Sequence, residues 1–191
     1  SSLNIYNDTE EIRRQLSFMR ECQNKIKKIL AICWGLQVAV TVAGGEVKKS
    51  NKGAHRGIAH NIRINDRGIN HPIYLNKNTK FNSPAFNFDE VVKIPNSAVL
   101  LSSNDLNNVM GLNFKTQVSD IWGIQYHPEI TYQKMVSLIH FRKDRIINKG
   151  AFKDQNEINS HVGMIEDEMK KTEKTSRMKE LENWLNYLYE N

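Results

Sequence analysis

Cys33 stands in the run Ala31-Ile32-Cys33-Trp34-Gly35, between an apolar stretch that ends at Ile32 and a helix-like stretch from Leu36 to Ala43. A cysteine on a small-residue turn between a strand and a helix has the setting of a nucleophile elbow, which exposes its nucleophile above the end of the strand. At a helix N-terminus, backbone N–H groups and the helix dipole favour the thiolate, the form that attacks. Far downstream, Gly123-Ile124-Gln125-Tyr126-His127-Pro128-Glu129 supplies the two other groups such a thiol needs. His127 emerges at the end of a strand-like segment, and Glu129 is spaced to orient its imidazole. Thiolate, proton carrier and orienting carboxylate together suit attack on a carbonyl carbon. The predicted catalytic residues are therefore Cys33, His127 and Glu129. Their bland readings are a buried small apolar residue, a strand-end cap and an acid at the start of the helix predicted over 132–141.

The elements that must position these residues alternate as in an α/β domain. Asp8, with Glu11 as capping-box partner, predicts a helix start, and Ile12, Leu16, Met19, Cys22 and Ile26 recur at helical spacing. Cys22 lies on that apolar stripe, which makes it a packing residue. The elbow strand over 29–32 follows, then the helix from Leu36, closed by Gly44-Gly45. Ile58, His60, Ile62 and Ile64 alternate as one strand face, with His60 a satisfied core or edge histidine. Two short strands, 91–94 and 98–101, are predicted around a turn at Pro95-Asn96. Met110, Leu112 and Phe114 mark another strand, and 121–126 the strand that delivers His127.

Composition narrows the function classes. With 39% hydrophobic and 25% charged residues, the chain of 191 has the make-up of an ordinary globular domain with a full core. Its two cysteines build no disulfide framework and suit a reducing, cytoplasmic setting. No apolar run reaches the roughly 18 residues of a membrane span, and residues 1–6 do not read as a secretory signal. The net charge of +6 is modest, no nucleic-acid recognition motif accompanies it, and no P-loop is present. Lys48, Lys49, Lys52 and Arg56 form a basic cluster that reads as a solvated loop ahead of an anion-binding surface.

Composition shifts after Arg142. Residues 143–191 are charged, helical and without strand candidates, and form a C-terminal extension to a domain over 1–142. Ile158, Val162, Ile165 and Met169 make one apolar stripe; Met178, Leu181, Leu185 and Leu188 make another, flanked by Trp184. Such stripes pack on the domain or on a second copy of the chain, as in a homodimer.

Four segments in order carry a resemblance. They are Ser1-Ser2-Leu3-Asn4-Ile5-Tyr6, Cys33-Trp34-Gly35-Leu36-Gln37, Asp89-Glu90-Val91-Val92-Lys93-Ile94-Pro95, and Gly123 to Glu129. With the helical tail over 177–185, they resemble class I glutamine amidotransferases, in particular stand-alone members similar to the amidotransferase part of GMP synthase. The resemblance implies a flavodoxin-like α/β fold with a mostly parallel central sheet. It implies glutamine hydrolysis through a thioester on Cys33, yielding glutamate and ammonia for an acceptor made elsewhere, without metal or organic cofactor. Trp34, Gly35 and Gln37 would contact glutamine, and Ser1 and Ser2 would belong to the loop completing the oxyanion hole with the Trp34 N–H. A separate synthetase chain is the implied partner. The same triad also fits a γ-glutamyl hydrolase, and the fold fits a degenerate interaction domain.

Three positions depart from the pattern: Ala31 replaces a glycine, Asn87 a histidine, and His55 a glutamate. The resemblance further implies a first strand, a helix and one or two more strands before Ser1. Without them the sheet is expected to lack central material and the isolated chain to fold poorly.

Overall fold

A computed structural model describes residues 3–189. Helix α1 (Glu10–Lys25) leads into strand β1 (Lys28–Ile32), helix α2 (Trp34–Val42) and strands β2 (Glu46–Lys49) and β3 (His55–Ile64). A short helix α3 (Asp66–Ile69) and a 3₁₀ turn at Pro72–Tyr74 precede β4 (Lys80–Asn87), β5 (Asp89–Lys93), β6 (Val99–Ser103), β7 (Gly111–Lys115) and β8 (Asp120–Ile124). Five helices close the chain: α4 (Tyr132–Phe141), α5 (Lys143–Asn148), α6 (Gln155–Lys171), α7 (Lys174–Arg177) and α8 (Lys179–Tyr189).

Six strands form one sheet in the order β1-β8-β7-β6-β3-β4, and β2 and β5 form a separate ribbon. The parallel pairing expected of the sheet is found between β1 and β8, where Ala31 lies opposite Gly123. The remaining pairs among the described residues are antiparallel, so the sheet is mixed. Short connections such as the one from β7 to β8 permit only antiparallel pairing. The parallel pair brings two of the predicted site residues to one sheet end, because Cys33 follows β1 and His127 follows β8.

Side chains alternate across β8, as a strand covered on both faces requires. Ile121 joins Ile12, Leu36 and Val40 in the core beneath α1 and α2. Trp122, Ile124 and the following Tyr126 join Ile62, Ile73 and Trp184 on the other face. Between them Gly123 lets α2 come close, since a Cβ there would lie 2.4 Å from Leu36 Cδ1. A third core joins β3 to α4 and α6 through Ile58, Ile139, Ile158 and Ile165.

Several local expectations change. Thr9, not Asp8, caps α1, accepting from the Ile12 N–H, while Asp8 pairs with Arg13 on the surface. The turn at Pro95 forms, but its flanking strands part: β5 pairs with β2, and β6 with β3 and β7. Strands β2 and β4 carry no clean alternation and were not expected. Pro84 breaks the pattern of β4, which tolerates proline because it is an edge strand. His60 is half-buried, and among the described residues its Nε2 has no hydrogen-bond partner, contrary to a satisfied histidine.

The tail departs furthest from its apolar stripes. Ile158, Val162 and Ile165 of α6 are buried as expected, whereas Met169 is exposed. In α8 the buried residues are Glu180, Asn183 and Trp184, and Leu185 and Leu188 face outward. Polar groups win this face because the opposing surface offers them partners. Asn183 donates to the carbonyls of Ile73 and Leu75, at 2.9 Å each.

Candidate active site

Cys33 is the N-cap of α2 and holds φ 52°, ψ −104°, a left-handed backbone that a side-chain-bearing residue rarely adopts. Its own N–H donates to the Ile124 carbonyl at 2.7 Å, which ties the elbow to the end of β8. The Trp34 N–H opens α2, where backbone N–H groups have no acceptor within the helix. That is where the donor expected to meet a tetrahedral oxyanion has to be. Cys33 is 5% exposed, and Gln125 Nε2 approaches its sulfur at 3.4 Å.

His127 leaves β8 at the same sheet end. Its N–H is fixed by the Pro84 carbonyl at 2.7 Å, and the Ile130 N–H closes the turn on the His127 carbonyl at 3.2 Å. Glu129 Oε1 takes the His127 Nδ1 edge at 2.6 Å, so Nε2 is left for the other partner. Burial opposes protonation of His127, but hydrogen bonds with Cys33 and Glu129, and the charges of both, outweigh it and push its pKa up to about 9. Both partners thus favour the protonated ring, with the carboxylate on Nδ1. Cap duty for the following helix falls to Thr131, whose hydroxyl accepts from the Lys134 N–H, leaving Glu129 to His127.

A cavity of about 250 Å³ opens on Cys33. Trp34, Gln37, Asn87 and Asp89 line it, and Gly35 does not. Gln37 is buried and donates to the Asp89 carbonyl at 3.2 Å and to Gln125 at 3.3 Å, so it holds the cavity wall in place. Burial pushes the Asp89 carboxyl up, against the Tyr6 hydroxyl and the charges of Lys49 and Lys149. Arg142, Arg145 and Lys149, spaced at helical intervals along α5 and its caps with the buried Ile146, also line it, and Lys49 joins them from β2. The basic cluster of the sequence thus disperses: Lys49 lines the cavity, whereas Arg56 pairs with Glu157 and stacks on Phe152. Ser1 and Ser2 lie outside the described residues.

The two polar departures meet. Asn87 donates to the Asp89 carbonyl, and its Oδ1 accepts from His55 Nδ1 at 2.9 Å. The other ring nitrogen of His55 accepts from Asn104 at 2.9 Å. Burial depresses the His55 pKa despite both bonds, so the ring stays neutral with its proton on Nδ1. A neutral histidine and an amide thereby fix the strand that lines the cavity.

Three features escaped the sequence reading. Gln125 sits inside the motif that supplies His127 and is fully buried against Cys33; a glutamine within an apolar strand was the available signal. Tyr126, equally buried, donates to Glu180 at 2.6 Å. Arg177 of α7 is 6% exposed and donates to the carbonyls of Pro128 and Ile130, the latter at 3.0 Å. Neither Arg177 nor Glu180 could be told in the sequence from the solvated charges around it. Among the described residues no cluster of side chains is suited to hold a metal ion, and no helix is long and apolar enough to cross a membrane.

Comparison with known proteins gives a family and a fold. Residues 6–144 match the sequence profile of glutamine amidotransferase class-I. A γ-glutamyl-L-1-hydroxyisopropylamide hydrolase of Pseudomonas sp is 27% identical over 161 residues, 83% of this chain and 54% of that protein. A glutamine-hydrolysing GMP synthase subunit of Methanobrevibacter smithii is 31% identical over 111 residues, 58% of this chain and 55% of that protein. The chain spans about half the length of these curated relatives. In fold, a glutamine amidotransferase of Thermotoga maritima superposes with a TM-score of 0.76 at 16% identity, covering 100% of this chain and 76% of that one.

Proposed function

This chain belongs to the class I glutamine amidotransferases, and from that membership we propose that it hydrolyses the side-chain amide of glutamine through a thioester on Cys33. The observation that carries the reading is the convergence of three groups: Cys33 in its strained elbow, His127 close enough for Cys33 to raise its pKa, and Glu129 on the Nδ1 side of the imidazole. His127 takes the proton of Cys33 as the sulfur attacks the amide carbon. The resulting oxyanion faces the start of α2 and its Trp34 N–H. Collapse breaks the C–N bond as His127 gives the proton to the departing ammonia, leaving a γ-glutamyl thioester. Water, deprotonated by His127, then cleaves the thioester to glutamate and restores the thiol. Asp89 offers a carboxylate to the substrate ammonium, and the cationic wall offers partners to its α-carboxylate. The ammonia acceptor and a synthetase partner belong to this reading, as does a cytoplasmic setting, which the two free cysteines suit.

A second reading keeps the triad and changes the leaving group. Lys49, Arg142, Arg145 and Lys149 line the cavity, and among the described residues none of them forms an ion pair. That is more positive charge than one α-carboxylate needs, and it favours a γ-glutamyl amide whose amine half carries a carboxylate. Paired assays on the full-length protein decide: ammonia release from glutamine, and amine release from γ-glutamyl-alanine. Glutamine turnover that disappears in Cys33→Ser supports the amidotransferase reading; the loss should be on the order of a millionfold, as for other nucleophile replacements. Turnover of γ-glutamyl-alanine alone supports the second reading. Turnover of neither would leave an interaction domain.

A further inference from the structure

The helical tail is joined to the catalytic segment at three successive places. Upstream of His127, Trp122 in β8 stacks on Tyr187 of α8, with ring centroids 4.3 Å apart, and meets Trp184 edge-on at 5.1 Å. Immediately before His127, the Tyr126 hydroxyl donates to Glu180. Immediately after it, Arg177 holds the carbonyls of Pro128 and Ile130, which flank Glu129.

Glu180 is fully buried, and its second oxygen pairs with Lys77 Nζ at 2.9 Å; Lys77 also donates to the Ser176 carbonyl at 2.8 Å. The Tyr126 hydroxyl, which donates to Glu180, also lies 3.2 Å from the Tyr74 hydroxyl, and Tyr74 shares a hydrogen bond of 2.7 Å with Ser102. Burial raises both phenol pKa values above their ordinary range, so the chain keeps its protons. Arg177 differs from Lys77 in having no carboxylate: among the described residues it makes no ion pair, and its hydrogen bonds go to the two loop carbonyls. Placing a guanidinium in the interior is costly unless its donors are used. Here Nη1 is used twice, on the backbone either side of Glu129.

We infer that Arg177 and Glu180 are positioning residues for the His127–Glu129 pair, so that the docked tail is a working part of the active site. Neither touches the reacting atoms. Arg177 fixes the turn on which Glu129 meets His127, and Glu180, through Tyr126, fixes the strand end from which His127 departs. This rests on the hydrolase reading above, in which His127 carries the proton.

The test compares Arg177→Gln, Arg177→Lys and Tyr126→Phe in the full-length protein, each checked for an intact Trp122–Trp184–Tyr187 stack by near-ultraviolet circular dichroism. A displacement of about 1 Å at a catalytic group can cost about a hundredfold. Arg177→Gln should therefore lower kcat about tenfold to a hundredfold with KM little changed, and Arg177→Lys should recover part of the loss. Tyr126→Phe, which keeps the ring packing, should lower kcat less and carries the test if Arg177→Gln does not fold. The decisive readout is the alkaline limb of the pH profile, which reports His127 between its two partners, Cys33 and Glu129. It should fall from about 9 toward the free-imidazole value of 6.5. Folded variants that keep the wild-type kcat and alkaline limb would overturn the inference. The pH dependence of Cys33 alkylation gives the same readout without substrate: a wild-type protein that hydrolyses nothing defeats the hydrolase reading, while an alkylation profile unmoved by Arg177→Gln defeats this one.

Discussion

Cys33 and His127 meet at one sheet end but are held there by different means. Cys33 is positioned by its neighbours in the chain: β1 before it, α2 after it, and one bond from its N–H to Ile124. His127 is positioned by residues remote in sequence, Pro84 on an edge strand and the tail residues Arg177 and Glu180. A nucleophile that attacks from a fixed elbow needs local rigidity. A proton carrier with partners on both ring nitrogens needs its backbone set to a fraction of an ångström from several sides. The difference explains how a charged helical tail with no catalytic residue of its own comes to bear on the chemistry.

The comparison can be broken most severely at Glu129. Glu129→Gln keeps a hydrogen-bond acceptor but removes the charge, and loss of the orienting carboxylate in such triads costs up to about ten-thousandfold in kcat. Glu129 is partly exposed, so a loss of about a hundredfold to a thousandfold is expected. The same change should move the alkaline limb below about 9, because one of the groups that raise the His127 pKa has gone. Stability shifts with it. A raised folded-state pKa stabilises the fold fully below the unfolded value of 6.5, and this contribution is lost as pH rises through about 9. In Glu129→Gln the contribution should be smaller and its loss complete at a lower pH, as followed by denaturant midpoints between about pH 6 and 10.

A smaller effect sharpens the contrast between anchoring the tail and arming the site. Gly57 in β3 holds φ +114°, and a Cβ there would lie 2.7 Å from Ile165 Cδ1 of α6 and 2.8 Å from Ile139 Cδ1 of α4. Gly57→Ala should cost about 1–3 kcal/mol through strain and overpacking, read as a lower Tm. It sits away from the grip of Arg177 and Glu180, so the folded variant should keep its alkaline limb. An unchanged Tm would show that α6 does not pack as described.

This division also governs what could be read from the sequence. The elbow was legible because strand, small-residue turn and helix are adjacent, and helix α4 was legible to the residue, Tyr132 to Phe141, because its periodicity is local. The α/β class was legible too, while the individual pairings of the described strands were not, since patterning says where strands lie but not which neighbour each one takes. β4 stayed hidden behind Pro84. In the tail, Leu185 and Leu188 looked like the packing face, whereas the buried face belongs to Glu180, Asn183 and Trp184. Binary patterning assigns charges to solvent by default. It fails where a carboxylate finds Tyr126 and Lys77, or a guanidinium finds two carbonyls, far away in the chain.

The central claim is that Cys33 forms a covalent bond to a γ-glutamyl group. The most direct measurement is mass spectrometry of the full-length protein, acid-quenched during turnover of glutamine or γ-glutamyl-alanine and digested with protease. The account predicts a γ-glutamyl adduct on the peptide containing Cys33 and none on the peptide containing Cys22. Turnover that proceeds undiminished in Cys33→Ser, with no adduct on the wild-type Cys33 peptide, would contradict it.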